Sequence, residues 1–193
     1  MYICSISEVG GIIAPNPPVT IVAVQTQKAS AVSSLASLAA EVRQQLGEAW
    51  LPQIYREQIL TKRTRAYHLE LPAKQGNAEV QYTLLGVELK IGRRRVMCPD
   101  LATARYLSVF ARTGNADFAL PYDISQLSRL ADALEFAWHR MLLLIDNVAE
   151  NRSASFCTRL RRTLIAAARD EIAQAGAGAD RPHFNQNTKQ RRA

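Results

Sequence analysis

The stretch Val80-Gln81-Tyr82-Thr83-Leu84-Leu85-Gly86-Val87-Glu88-Leu89-Lys90-Ile91-Gly92-Arg93-Arg94-Arg95-Val96-Met97 decides the fold class. Val80, Tyr82 and Leu84 alternate with polar residues, the two-residue period of a strand with one buried face. The phase then slips by one, and Leu85, Val87, Leu89 and Ile91 carry it on. A slip beside Gly86 predicts a β-bulge or a sharp bend, because one extra residue exchanges the two faces. Ile91-Gly92-Arg93 reads as a turn into a short strand through Val96 and Met97. Upstream, Tyr67, Leu69 and Leu71 alternate with His68 and Glu70, and Pro72 to Asn77 is turn chemistry.

On both sides of this sheet the period changes to that of helices. Val32, Leu35, Leu38 or Ala39, Val42 and Leu46 form one helical face that starts from Ala29 and ends near Gly47. A short helix opens at Pro52, with Ile54, Tyr55 and Ile59 inward. After the sheet, Asp100 suits the cap of a helix whose face is Leu101, Ala104, Leu107 or Ser108, and Ala111, and whose left-handed stop is Gly114. Phe118 and Leu120 predict a last short strand, closed by Pro121. Asp123 and Gln126 have capping-box spacing before a seam of Leu127, Ala131, Leu134, Trp138, Met141, Ile145 and Val148. Phe156, Leu160, Leu164, Ala168 and Ile172 mark a final helix. The β-branched run Val19 to Gln25 is an early strand candidate.

The expected architecture is therefore α+β: a small, mainly antiparallel sheet with packed helices, ended by a long C-terminal helical hairpin over 123–175. An irregular segment 1–18 precedes a single domain over 19–175, and a basic tail follows over 176–193. Cys4, Cys98 and Cys157 are odd in number and unpaired in spacing, which excludes a disulfide framework or a zinc ribbon and favours a reducing, cytoplasmic setting. No apolar run is long enough to span a bilayer, so no membrane partner is expected.

The net charge of +7 is unevenly distributed. Residues 61–112 and 151–193 are each net +6, whereas 113–150 is net −4. The cations cluster as Lys62, Arg63 and Arg65; Lys90, Arg93, Arg94 and Arg95; Arg159, Arg161 and Arg162; and Lys189, Arg191 and Arg192. Arginine forks match phosphate oxygens, so these clusters point to DNA or RNA backbone binding. A turn at Gly92 would project three guanidiniums together. The alternative for any such run is a solvated face, and the aromatics are not interleaved with the arginines in sequence, which argues against a stacking platform for single strands.

Catalytic motifs are sparse. There is no phosphate-cradling glycine loop and no nucleophile elbow, and His68, His139 and His183 are isolated. No cofactor, metal or catalytic set follows from these residues, and a non-enzymatic role is expected. One constellation, Glu70 with Glu88-Leu89-Lys90 on consecutive strands, resembles the α-β-β-β-α-β core of PD-(D/E)xK nucleases. The resemblance implies Glu70 and Glu88 as metal ligands and Lys90 as the group orienting the attacking water. The first acid is Glu where that family usually has Asp, and Pro99-Asp100 falls after the E-x-K; an exposed cross-strand charge pair gives the same pattern. A last expectation concerns partners: the seam through Leu127, Leu134, Trp138, Met141 and Ile145 either packs within the chain or pairs with a partner protein or a second copy.

Overall fold

In the computed structural model, which describes residues 34–72 and 77–178, the phase slip beside Gly86 is a β-hairpin. Strands β2 (Ala78–Thr83) and β3 (Gly86–Ile91) pair antiparallel from Thr83↔Gly86 to Ala78↔Ile91. A two-residue loop places even positions of one strand opposite odd positions of the other. Its parity is therefore that of a bulge, and the loop residues Leu84 and Leu85 carry no turn chemistry to tell the two apart. The second turn matches its sequence: Gly92 is left-handed (φ 59°), and β4 (Arg94–Cys98) returns along β3. The resulting sheet has the order β2-β3-β4.

A separate two-stranded ribbon joins β1 (Thr64–His68) to β5 (Asp117–Pro121), antiparallel, in the register Thr64↔Pro121 to His68↔Asp117. Its outer edge is closed by side chains. The Ala119 N–H donates to the Tyr55 hydroxyl (2.8 Å), and the Ala119 carbonyl accepts from the Tyr106 hydroxyl (2.6 Å). Both backbone groups thus face away from β1, and the tyrosines supply what a third strand would have supplied. Phe118 stacks on Phe110 with centroids 4.1 Å apart, and Tyr67, Tyr106 and Tyr55 complete an aromatic cluster beneath the ribbon.

The helices form the other side. α1 (Leu35–Leu46) is capped by Ser34 and buries Leu38, Val42 and Leu46. α2 (Leu51–Ile54) runs into a π-helical turn over Tyr55–Ile59, which buries Tyr55 and Ile59. α3 (Leu101–Thr113) starts where Asp100 accepts from the Thr103 amide (2.7 Å) and ends at Gly114 (φ 83°), as its sequence signals require. It packs between the β2–β3 face and α4 (Leu127–Val148). α4 and α5 (Ala154–Ala175) are joined by the turn over 149–153 and pack on each other, on α1, on α2 and on α3. This is the α+β class with small antiparallel sheets and a long C-terminal helical hairpin.

The seam of α4 is filled from within the chain: Leu127, Ala131, Leu134, Trp138, Met141 and Ile145 are all buried. Asp123 and Gln126 cap differently from a capping box. Asp123 accepts from Ser125 and from the Gln126 side-chain amide (2.7 Å), and these residues form a 3-10 turn before α4. Trp50, which no pattern singled out, is buried; it donates to Glu171 (3.2 Å), which also binds Arg43 (2.6 Å) and so ties α1 to α5. The expected strand Val19–Gln25, the helix start from Ala29 to Ser33, the turn interior 73–76, Cys4, His183 and the tail cations Lys189, Arg191 and Arg192 lie outside the described residues.

Candidate nucleic-acid interface

The β1–β5 register decides what the first basic cluster can do. Residues directly opposite in an antiparallel pair share a face. Arg65 lies opposite Leu120 and Tyr67 opposite Phe118, and one step further out the Tyr122 amide donates to the Arg63 carbonyl (3.1 Å). Arg63, Tyr122, Arg65 and Tyr67 therefore share one face of the ribbon with Leu120 and Phe118; the latter two are buried, and the face opens to solvent at its Arg63–Tyr122 end. The guanidinium carbon of Arg63 lies 5.2 Å from the centre of the Tyr122 ring, and that of Arg65 lies 6.0 Å from it. The Arg65 Nε is buried and donates to no acceptor among the described residues. Neither arginine has a carboxylate within ion-pair distance among the described residues, so their charge is free to meet an anion.

Two cavities extend this face. A groove of about 480 Å³ opens beside it, walled by Glu57, Thr61, Lys62, Ser125, Gln126 and Arg129. The carboxyl of Asp123 at this end is held below the usual carboxylate range by the Ser125 hydroxyl, then by the Gln126 amide and the Ser125 backbone N–H, with Lys62 adding a smaller charge effect. At the far end of β1 a cleft of about 350 Å³ brings Tyr67 and Glu70 against Arg94 and Arg95. Lys62 thus lines the groove near the start of β1, and Arg94 and Arg95 line the cleft at its other end, although about thirty residues separate the two clusters in the chain.

The β3–β4 turn does not project three guanidiniums together. Successive strand residues point to opposite faces. Arg94 is paired with Glu70, and Arg95 with Glu88 (3.4 Å), which leaves Arg93 at the exposed tip without a carboxylate partner among the described residues. Lys90 lies across the sheet from Glu79 and Arg95. The α5 cluster is also divided. Arg159 packs over the Phe156 ring (5.9 Å) together with Arg152 (5.6 Å), Arg161 binds Asp146 of α4 (3.3 Å), and Arg162 is exposed. Residues two apart on a helix do not share a face, so Arg159 and Arg161 diverge.

Glu70, Glu88 and Lys90 are not gathered as a metal site. Glu70 follows β1, whereas Glu88 is on the centre strand of the other sheet, and β1 and β3 are not hydrogen-bonded neighbours. Each glutamate takes an arginine instead. Among the described residues no group of three His, Cys, Asp or Glu side chains is placed to hold a metal ion. No helix among the described residues is long and apolar enough to cross a membrane.

Tyr122 and Arg129 were not identified from the sequence. The available signal was the pairing of the Phe118–Leu120 strand with the strand before Glu70, which sets Tyr122 opposite Arg63. That pairing joins segments more than fifty residues apart, and periodicity within either segment is silent about it. No protein-family model, curated protein or solved structure matches the chain.

Proposed function

We propose that this protein is a non-enzymatic nucleic-acid-binding accessory protein that holds phosphates along the β1–β5 ribbon. The observation that carries the reading is the Arg63–Tyr122–Arg65 arrangement: two arginines without carboxylate partners among the described residues lie by a partly exposed ring, and one buried guanidinium N–H lacks an acceptor among them. Such donors are matched by phosphate oxygens. Lys62 adds charge beside Arg63, Arg94 and Arg95 stand at the other end of β1 with charge partly balanced by Glu70 and Glu88 respectively, and Lys90 and Arg93 add charge on the β3–β4 hairpin. Arg159, Arg161 and Arg162 lie on α5 and do not act as one patch, because Arg161 is bound to Asp146 and Arg159 diverges from it. Under this reading the protein works in a reducing, cytoplasmic compartment, consistent with free thiols at Cys98 and Cys157.

If Lys62, Arg63, Arg65 and Arg93 each neutralise one phosphate, log K falls against log salt with a slope of about −3.6 on duplex and about −2.8 on single strands. The Lys62→Ser/Arg63→Ser variant is expected to flatten the single-strand slope by about 1.4. An unchanged slope and affinity in that variant would remove the assignment. With Mg²⁺ present the probes are expected to stay intact; cleavage abolished by Glu88→Ala would replace this reading by a metal-dependent nuclease.

A protein-binding adaptor is the second reading, and it is supported on a different face of α4 from the seam. Phe136 and Leu143 are exposed one heptad apart, 63% and 70% accessible. Concentration-dependent self-association lost on Phe136→Ser/Leu143→Ser would favour it; a monomer at all concentrations would not.

A further inference from the structure

We infer that the Arg63–Tyr122–Arg65 surface takes an unpaired nucleotide, with Tyr122 as the platform for its base and the adjoining groove as the place for the base edge. The inference rests on the nucleic-acid reading above and adds the class of strand. Tyr122 is 39% exposed, its amide is bonded to the Arg63 carbonyl at the end of the ribbon, and the Arg63 and Arg65 guanidiniums lie over its ring, so a base stacks on the part of the ring that they leave open. Aromatic rings bind bases by stacking whatever the sequence, while neighbouring arginines hold the backbone.

Charge sorts the two halves of the surface. The groove sets the Glu57 carboxylate on its wall and the Asp123 carboxylate beside its Ser125–Gln126 end against Lys62 and Arg129, so its charge is balanced where the arginine side is cationic, and Lys62 stands at the border of the two. Its remaining lining is hydroxyl, amide and cationic groups together with Leu130, and the Gln126 carboxamide oxygen is buried and receives no hydrogen bond among the described residues. That oxygen has no accessible surface as placed, and a turn of the Gln126 side chain into the groove would offer it to the exocyclic amino group of a base. On the arginine side the Arg65 Nε has no acceptor among the described residues, and phosphate belongs there. A base within a duplex is stacked on both faces and paired along its edge, so it can meet neither Tyr122 nor the groove. Single strands, loops and frayed ends can.

The test is fluorescence anisotropy of the full chain at low salt, using a labelled oligothymidine, a mixed-sequence single strand containing adenine and cytosine, and a duplex of the same length. Both single strands are expected to bind more tightly than the duplex. Tyr122→Ser is expected to weaken single-strand binding by about 5- to 150-fold, the range of one base–aromatic stack. Tyr122→Phe is expected to retain it, and duplex binding is expected to be unchanged in both variants. The mixed strand is expected to exceed oligothymidine, which has no exocyclic amino group, and Gln126→Leu is expected to remove that difference. Equal affinity for single strand and duplex, or an unaffected Tyr122→Ser variant, would overturn the inference and leave phosphate binding standing. Absence of binding to every probe would overturn both. Urea unfolding of each variant separates a lost stack from a lost fold.

Discussion

Replacing Tyr55 by Phe removes one oxygen that joins three parts of the chain. The Tyr55 hydroxyl accepts from the buried Ala119 N–H of β5 (2.8 Å) and donates to the Gly176 carbonyl at the end of α5 (2.6 Å), while its ring meets Phe110 edge-on. The ring stays in Tyr55→Phe, so no sizeable cavity opens and the cost is polar. Leaving the Ala119 N–H without an acceptor costs about 1–3 kcal/mol. The Gly176 carbonyl is only half-buried, so water replaces the hydroxyl there and adds little. The expected loss is about 2 kcal/mol. For a chain of this size that is a fall in Tm of about 4–8 °C. Urea unfolding followed by far-ultraviolet circular dichroism measures it, with an unchanged m-value showing that the unfolded surface is the same. A loss below about 0.5 kcal/mol would refute the view that the tyrosine hydroxyls close the β5 edge, because an orphaned buried amide cannot be that cheap.

Two other outcomes follow from the same packing. Burial raises the Tyr106 hydroxyl well above its ordinary range, and desolvation also raises that of Tyr55, partly offset by the Ala119 N–H. Their folded-state values thus exceed the unfolded value of about 10, so the stability they contribute is full below about pH 10 and lost as pH rises through the folded values. Tm measured on the alkaline side is expected to fall from about pH 10 upward, less steeply in Tyr106→Phe; equal slopes would contradict the burial of that hydroxyl. On α4, Leu134→Glu places a carboxylate in the core and is expected to cost several kcal/mol, about 3 or more, whereas Phe136→Glu on the exposed face is expected to stay within about 0.5 kcal/mol. Urea midpoints of the pair decide it, and similar losses in both would mean that the helix is rotated.

Local signals in the chain were legible because they act over a few residues. The Asp100 cap, the Gly114 stop, the Gly92 turn and the four-and-three spacing of α4 and α5 each depend on atoms within one or two turns, and each appears where its residues placed it. The α+β class was readable for the same reason, since the change from a period of two to one of 3.6 is a property of the string. The hairpin at Leu84–Leu85 was not, because its parity equals that of a bulge and leucines give no turn signal. Only the tertiary structure decided which cations meet carboxylates and which do not. Arg94 is matched to Glu70 across twenty-four positions, and Arg63 to Tyr122 across a ribbon whose strands are far apart in the chain. A charge run fixes how much positive charge is present. Whether that charge is neutralised, stacked on a ring or left open to a phosphate depends on which distant side chain lies within about 4 Å, and only strand pairing and helix packing set that.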